Sequence, residues 1–194
     1  MSVLCSLSGL NAEIKVETDG SKPADRIALS YEPAGSVGNS TTFQRGTGEY
    51  RRIGQAFSVE DKSFELTGLT WKIWDFDPMV EGKKFSIQVY RLVAVNKAPD
   101  MGNDLVLSEE GTLPQTLSPE DYITFTFSKG VNLEKGESYL ILFGFEEATS
   151  KDNTAKSLGF QRSDERAESG RLWVYNGETF VADNKSMTFY LHGK

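Results

Sequence analysis

Hydrophobic residues recur with a period of two along most of this chain, the spacing of strands with one buried face. Phe64, Leu66, Leu69, Trp71 and Ile73 line one side of a stretch that Gly68 interrupts, where a β-bulge resets the phase. Phe85, Ile87 and Val89 alternate with Ser86, Gln88 and Tyr90, and Ile123, Phe125 and Phe127 alternate with Thr124 and Thr126. Tyr139 to Phe145 is apolar on both faces, as in a central strand covered from both sides. Leu158 and Phe160, Leu172 and Val174, then Met187, Phe189 and Leu191 complete the series. Turn chemistry separates these runs at Glu81-Gly82, Lys135-Gly136 and Asn176-Gly177. Asn-Gly between Trp173–Tyr175 and Thr179–Val181 is the strongest hairpin signal.

No stretch of ten residues keeps a helical apolar face. The best short helical turn is Ser118-Pro119-Glu120-Asp121, with Ser118 as cap and Pro119 at the first helical position. About eight to eleven short strands without crossover helices predict an all-β, antiparallel β-sandwich of jelly-roll type. Residues 1–194 read as one such domain, with residues 1–12 as a frayed end, and 33–47 as a long surface connection.

Charge narrows the function. The chain has 194 residues, with 28 acidic against 21 basic side chains and a net charge of −7. That balance argues against nucleic acid, which is gripped through Lys and Arg. No apolar run approaches the ~18 residues of a membrane-spanning helix, so no membrane insertion is expected. A single cysteine, Cys5, excludes an internal disulfide framework, and the lone histidine, His192, leaves a two-His metal site unsupplied. Met1 to Leu10 lack the basic start of a signal peptide, and no anchor follows Lys194. The protein is then either intracellular or an exported domain whose signal has been removed.

Four segments carry a resemblance: Ile53 to Phe57, Phe64 to Trp71, Phe85 to Tyr90, and Phe125 to Tyr139. Together, over about residues 53–192, they resemble bacterial exported β-sandwich modules found beside C-terminal anchors in planctomycete and verrucomicrobial surface proteins. The likeness to jelly-roll carbohydrate-binding modules is looser. It implies an extracellular or cell-surface setting and carries no catalytic residue over. The chain departs from the anchored proteins in lacking the anchor.

Candidate chemistry starts with the rings on the polar side of each strand. Parity turns Trp71 inward and Trp74 outward. Tyr90, Trp173 and Tyr190 likewise oppose the apolar residues of their strands. If the strands of Trp74 and Tyr90 are neighbours, both lie on one wet face. With Arg171, Lys72 and Gln88, and with Arg91, Arg162 and His192 nearby in sequence, they form a surface suited to a polysaccharide or surface glycan. Rings stack on the apolar side of a sugar while donors reach its hydroxyls. The same rings also serve to bury area against a loop or second sheet. A structural or adhesive domain that binds another protein is the reading from a different class.

Acidic loops offer other chemistry. Asp75 and Asp77, Asp152 and Asn153, or Asp183 and Asn184 have the oxygen ligands of a structural calcium site, though no spacing matches an EF-hand loop. The paired carboxylates Glu109-Glu110, Glu120-Asp121, Glu146-Glu147 and Asp164-Glu165 sit in solvated segments, which counts against a glycoside hydrolase. A lyase-like set remains: Tyr190 and His192 share a face at i, i+2, with Arg162 or Arg171 as partner. No Gly-x-Ser-x-Gly elbow or glycine-rich phosphate loop is present.

Overall fold

The computed structural model describes residues 13–32, 37–152, 154–165, 167 and 170–194. Cys5 and the expected frayed end lie outside them. The described chain is all-β. Its strands are β1 (Glu13–Asp19), β2 (Ile27–Tyr31), β3 (Val37–Gln44), β4 (Tyr50–Ser58), β5 (Phe64–Phe76), β6 (Lys84–Leu92) and β7 (Leu105–Thr112). They continue as β8 (Tyr122–Leu133), β9 (Ser138–Phe145), β10 (Leu158–Ser163), β11 (Gly170–Tyr175), β12 (Phe180–Asp183), β13 (Ser186–Met187) and β14 (Phe189–Gly193). The number exceeds the expectation because β1, β2, β3 and β7 carry weak or polar patterns; β3 reads Val-Gly-Asn-Ser-Thr-Thr-Phe-Gln. The supposed connection over 33–47 therefore holds a strand. Its alternation is made by Ser40 and Thr42, which are buried polar residues.

Hydrogen bonding runs around a closed ring of nine strands, β5-β10-β3-β4-β9-β6-β7-β1-β8 and back to β5. Two long strands make this possible. One edge of β5 serves β14 along Leu66 to Trp71 and β10 from Ile73 to Phe76. One edge of β4 serves β3 at Tyr50 and Arg51, and β11 from Arg52 to Phe57. The pairs β14–β2 and β11–β12 thus branch off the ring. The sequence predicts an antiparallel sandwich of jelly-roll type; here short ladders join the halves into a closed barrel. One is β3–β4, and the other is a parallel contact of β1 with β7 at Glu110 and Gly111.

The core fills this ring. Trp71 is fully buried and touches the rings of Phe125, Phe143 and Phe160, the last at 4.9 Å between centroids. Rings meet across the interior at Phe85–Phe125 (5.2 Å) and Phe57–Phe189 (6.2 Å), so β4, β6 and β9 face β14 and β8. The central strand β9 is buried from Tyr139 to Phe145, on both faces, as its composition predicts.

Gly68 resets the phase as expected: Leu66 pairs with Val131, but Gly68 pairs with Thr126. A Cβ there would stand 2.7 Å from the Phe125 carbonyl oxygen, so only glycine admits this approach. The excess residues of β8 are held by the buried Glu109 carboxylate, which accepts from Ser128 N (2.8 Å), Ser128 Oγ (2.9 Å) and Lys129 N (2.8 Å). The Asn-Gly hairpin joins β11 to β12, with Gly177 at φ 99° and Asn176 Oδ1 accepting from Glu178 N and Thr179 N. No helix forms at Ser118–Asp121; the segment is a turn in which Glu120 takes φ 69°. The short helix is instead a 3₁₀ turn at Pro78–Val80, capped by the Asp77 carboxylate on Met79 N. Among the described residues no helix is long and apolar enough to cross a membrane.

Candidate functional site

The structure divides the expected ligand-binding residues between two outer faces. Strand β6 lies between β9 and β7, and β5 lies beside β8, so Trp74 and Tyr90 do not share a face. Gln88, Tyr90, Trp173 and Arg171 gather on the outer face of β11-β4-β9-β6. Lys72 and Tyr190 stand on the outer face of β8-β5-β14. Trp74 is half-buried, at a bulge where Ile73 pairs with Phe160 and Asp75 with Gly159.

The first face is dry where rings were expected to be wet. Tyr90 is 1% exposed and Trp173 4% exposed, because the chain from 93 to 104 folds over them and adds Val95 and Met101. Parity was right; a loop supplies a second small core outside the barrel, with Ala56, Leu92, Leu140 and Leu142. Trp173 Nε1 donates to the Val95 carbonyl at 3.0 Å. At the open end, Arg52 lies across Gly144 and donates to Gln88 Oε1 (3.0 Å) and to Glu146 (3.0 Å). The Tyr90 hydroxyl also donates to Gln88 Oε1 (3.0 Å). The Gln88 amide oxygen is therefore spent on protein partners. Arg171 donates to Asn184 Oδ1 at 2.9 Å.

The second face carries the candidate site. The chain leaves the ring at β1 and must reach β2, which lies beyond β8, β5 and β14. Four interstrand steps span about 19 Å, and the seven residues 20–26 reach about 25 Å when extended. The connection is accordingly a strap with little slack across the outer face. It is tied at its far end. His192 donates to the Asp25 carbonyl, Gly193 N donates to the Arg26 carbonyl (2.9 Å), and Lys22 pairs with Glu32 (3.1 Å). Arg26 takes φ 56°, a strained left-handed conformation for an arginine. Near the start, Asp19 Oδ1 accepts from Ser21 N and Oγ.

Beneath and beside the strap lies a cleft of about 630 Å³. Its floor is Tyr122, Thr124 and His192, and its walls include Glu17, Asp19, Lys22, Asp25 and Arg26. Tyr122 is positioned by packing: Tyr190 meets it edge-on at 5.9 Å, and Lys72 Nζ stands 5.8 Å from its centroid while bound to Glu120 (2.6 Å). His192 Nε2 shares a 2.7 Å hydrogen bond with Thr70 Oγ1, which in turn bonds Thr124 Oγ1 at 2.7 Å. Burial holds the imidazole below its ordinary range, against the opposing pull of the Asp25 carbonyl. Hydrogen bonds from Ser21 hold Asp19 below the usual carboxylate range.

Tyr122, Thr124, Lys22 and Arg26 were not singled out from the sequence. Tyr122 was legible, standing one step before Thr124 on the wet side of β8. The strap residues have no alternation to betray them. Tyr190 is a correction: it points outward as parity demands but is 3% exposed. Burial and the nearby Glu32 carboxylate push its phenol far above the ordinary range. The lyase-like set does not assemble. Arg162 donates to the Asn39 carbonyl and pairs with Asp164, and Arg171 holds Asn184, while Tyr190 and His192 sit with Thr70 and Tyr122.

The calcium candidates are engaged elsewhere. Asp75 accepts from Asn39 Nδ2 at 3.1 and 3.2 Å, and Asp77 caps the 3₁₀ turn and pairs with Lys156 at 3.0 Å. Asp152 bonds Thr154, Asp183 faces Lys185 at 3.6 Å, and Asn153 lies outside the described residues. Among the described residues no three His, Cys, Asp or Glu side chains group as a metal site.

Comparison with known proteins finds no family model that matches the chain and no curated protein significantly similar to it.

Proposed function

We propose that the protein is a non-catalytic recognition module that takes a polyhydroxylated ligand, a segment of glycan or matrix polymer, in the cleft under the 20–26 strap. One observation carries this reading: a tyrosine ring, hydroxyls and charged groups of both signs converge on one cleft large enough for a ligand. Hydroxyl-rich ligands need donors and acceptors together. Lys22 and Arg26 donate, Glu17, Asp19 and Asp25 accept, Thr124 does either, and Tyr122 offers apolar area. The facing halves, β4-β9-β6 against β8-β5-β14, suit the jelly-roll plan of carbohydrate-binding modules. The resemblance over residues 53–192 supports an exported, surface setting.

Affinity electrophoresis against a panel of neutral and acidic polysaccharides tests the reading. Retardation by one polymer, weakened about fivefold or more by Tyr122→Ala and by Arg26→Gln, is expected, since each contact contributes about 1 kcal/mol. Binding that both variants leave intact, or retardation by no polymer, overturns it.

One observation favours a protein-binding reading instead. Among the described residues, Val93, Leu105 and Val106 are exposed beside the β7 edge, which β1 pairs at Glu110 and Gly111. Light scattering of wild type and Leu105→Lys distinguishes it, because an edge-paired assembly dissociates in the variant.

A further inference from the structure

We propose that the corner where β3 and β4 part is an oxyanion-binding site, separate from the strapped cleft and independent of it. Strands β3 and β4 pair only through Phe43–Arg51 and Gln44–Tyr50, after which β3 joins β10 and β4 joins β11. The segment from Asp183 to Met187 bridges the parting. Leu172 N donates to the Lys185 carbonyl (2.8 Å), Met187 N donates to Gln55 Oε1 (2.8 Å), and Met187 pairs with Arg162.

This topology brings cations to one corner of a chain whose net charge is −7. Arg51 comes from β4, Arg162 from β10, and Lys185 from the bridging segment. Among the described residues Asp164 and Asp183 oppose them, and both carboxylates are already shared. Asp164 pairs with Arg162 and lies 3.8 Å from Lys185, and Asp183 lies 3.6 Å from Lys185. Arg162 is fixed across Gly38 by its Nε bond to the Asn39 carbonyl (2.7 Å). Arg51 makes no ion pair among the described residues, and its Nε is buried without a hydrogen-bond partner. Burial and the neighbouring Arg162 both press the Arg51 guanidinium down from its ordinary value, while Asp183 opposes them. Guanidinium donors left open beside like charge are the chemistry that a carboxylate, sulfate or phosphate group satisfies, because its oxygens match the planar fork.

Titration of the intact protein with sodium sulfate, sodium phosphate and sodium glucuronate, at constant ionic strength made up with chloride, tests this. NMR of the arginine Nε–Hε groups is the readout. The expected result is a saturable shift of the Arg51 and Arg162 signals by at least one of the three, Arg162 reporting when Arg51 is replaced. Arg51→Gln and Lys185→Gln should each weaken it about tenfold, with unchanged backbone amide dispersion. Saturation by glucuronate alone marks a uronate ligand; saturation by sulfate or phosphate marks the tetrahedral anion. Shifts that follow ionic strength alone, or affinity unchanged in both variants, overturn the proposal.

Discussion

Trp173→Ala separates a ligand-binding ring from a core ring. In the structure Trp173 is 4% exposed, its N–H reaches Val95 O at 3.0 Å, and Phe180 meets it edge-on at 6.1 Å. A tryptophan burying about 200 Å² at about 25 cal/mol per Å² corresponds to about 5 kcal/mol as an upper bound. Partial collapse of the 93–104 cover into the space offsets some of this. The expected cost is about 3–5 kcal/mol, a fall in Tm of roughly 6–20 °C for a domain of this size. Trp173→Phe keeps a ring but leaves the Val95 carbonyl without its donor, so it should cost only about 1–2 kcal/mol. Urea denaturation followed by far-ultraviolet circular dichroism measures both, and tryptophan fluorescence reports the cover. A Trp173→Ala protein with wild-type midpoint and slope would refute the assignment of this ring to a core. Lost ligand binding in such a protein would return Trp173 to the surface role that strand parity suggests.

Three other outcomes follow from the same geometry. Gly68→Ala should destabilise by about 1–3 kcal/mol, because its Cβ meets the Phe125 carbonyl oxygen at 2.7 Å and the β5–β8 ladder must open; thermal melts check this. Glu109→Ala removes the acceptor of two backbone amides and a hydroxyl. It should cost about 2–3 kcal/mol and speed hydrogen exchange at Ser128 and Lys129; unchanged exchange there contradicts the clamp. His192 has a folded pKa below its unfolded value of 6.5, so the unfolded chain binds the extra proton. Its contribution is whole above that value and declines as pH falls from 6.5 toward the folded pKa. Melts between pH 7.5 and 5.5 should show a steeper loss for wild type than for His192→Asn, and equal slopes would contradict the buried imidazole.

Much of this architecture is written in local pattern. Alternation at Phe85–Val89, Ile123–Phe127 and Phe189–Leu191 marks strands because side chains of one parity must leave water together. Gly68 announces its bulge, and Asn176-Gly177 its hairpin, because the backbone there admits little else. Parity even assigns Tyr90, Trp173 and Tyr190 correctly to outer faces. What parity cannot carry is the identity of whatever lies over that face. Tyr90 and Trp173 are dry because residues 93–104 cross them, and Tyr190 is dry because Tyr122 and Glu32 flank it. Both effects join segments far apart along the chain.

The ring and the cleft belong to the same class of long-range outcome. Closure depends on β4 and β5 each lending one edge to two partners, and nothing in either strand's own residues names those partners. The strap exists because β1 and β2, neighbours in sequence, are seated with three strands between them, so their linker crosses the sheet and roofs Tyr122, Thr124 and His192. By itself the sequence determined the strongly alternating strands, such as β5, β6, β8 and β14, and which side of each is apolar, since those follow from the nearest few neighbours, whereas the polar β3 did not declare itself. Only the tertiary structure decided which polar sides meet water, because exposure depends on strand order and on loops arriving from elsewhere.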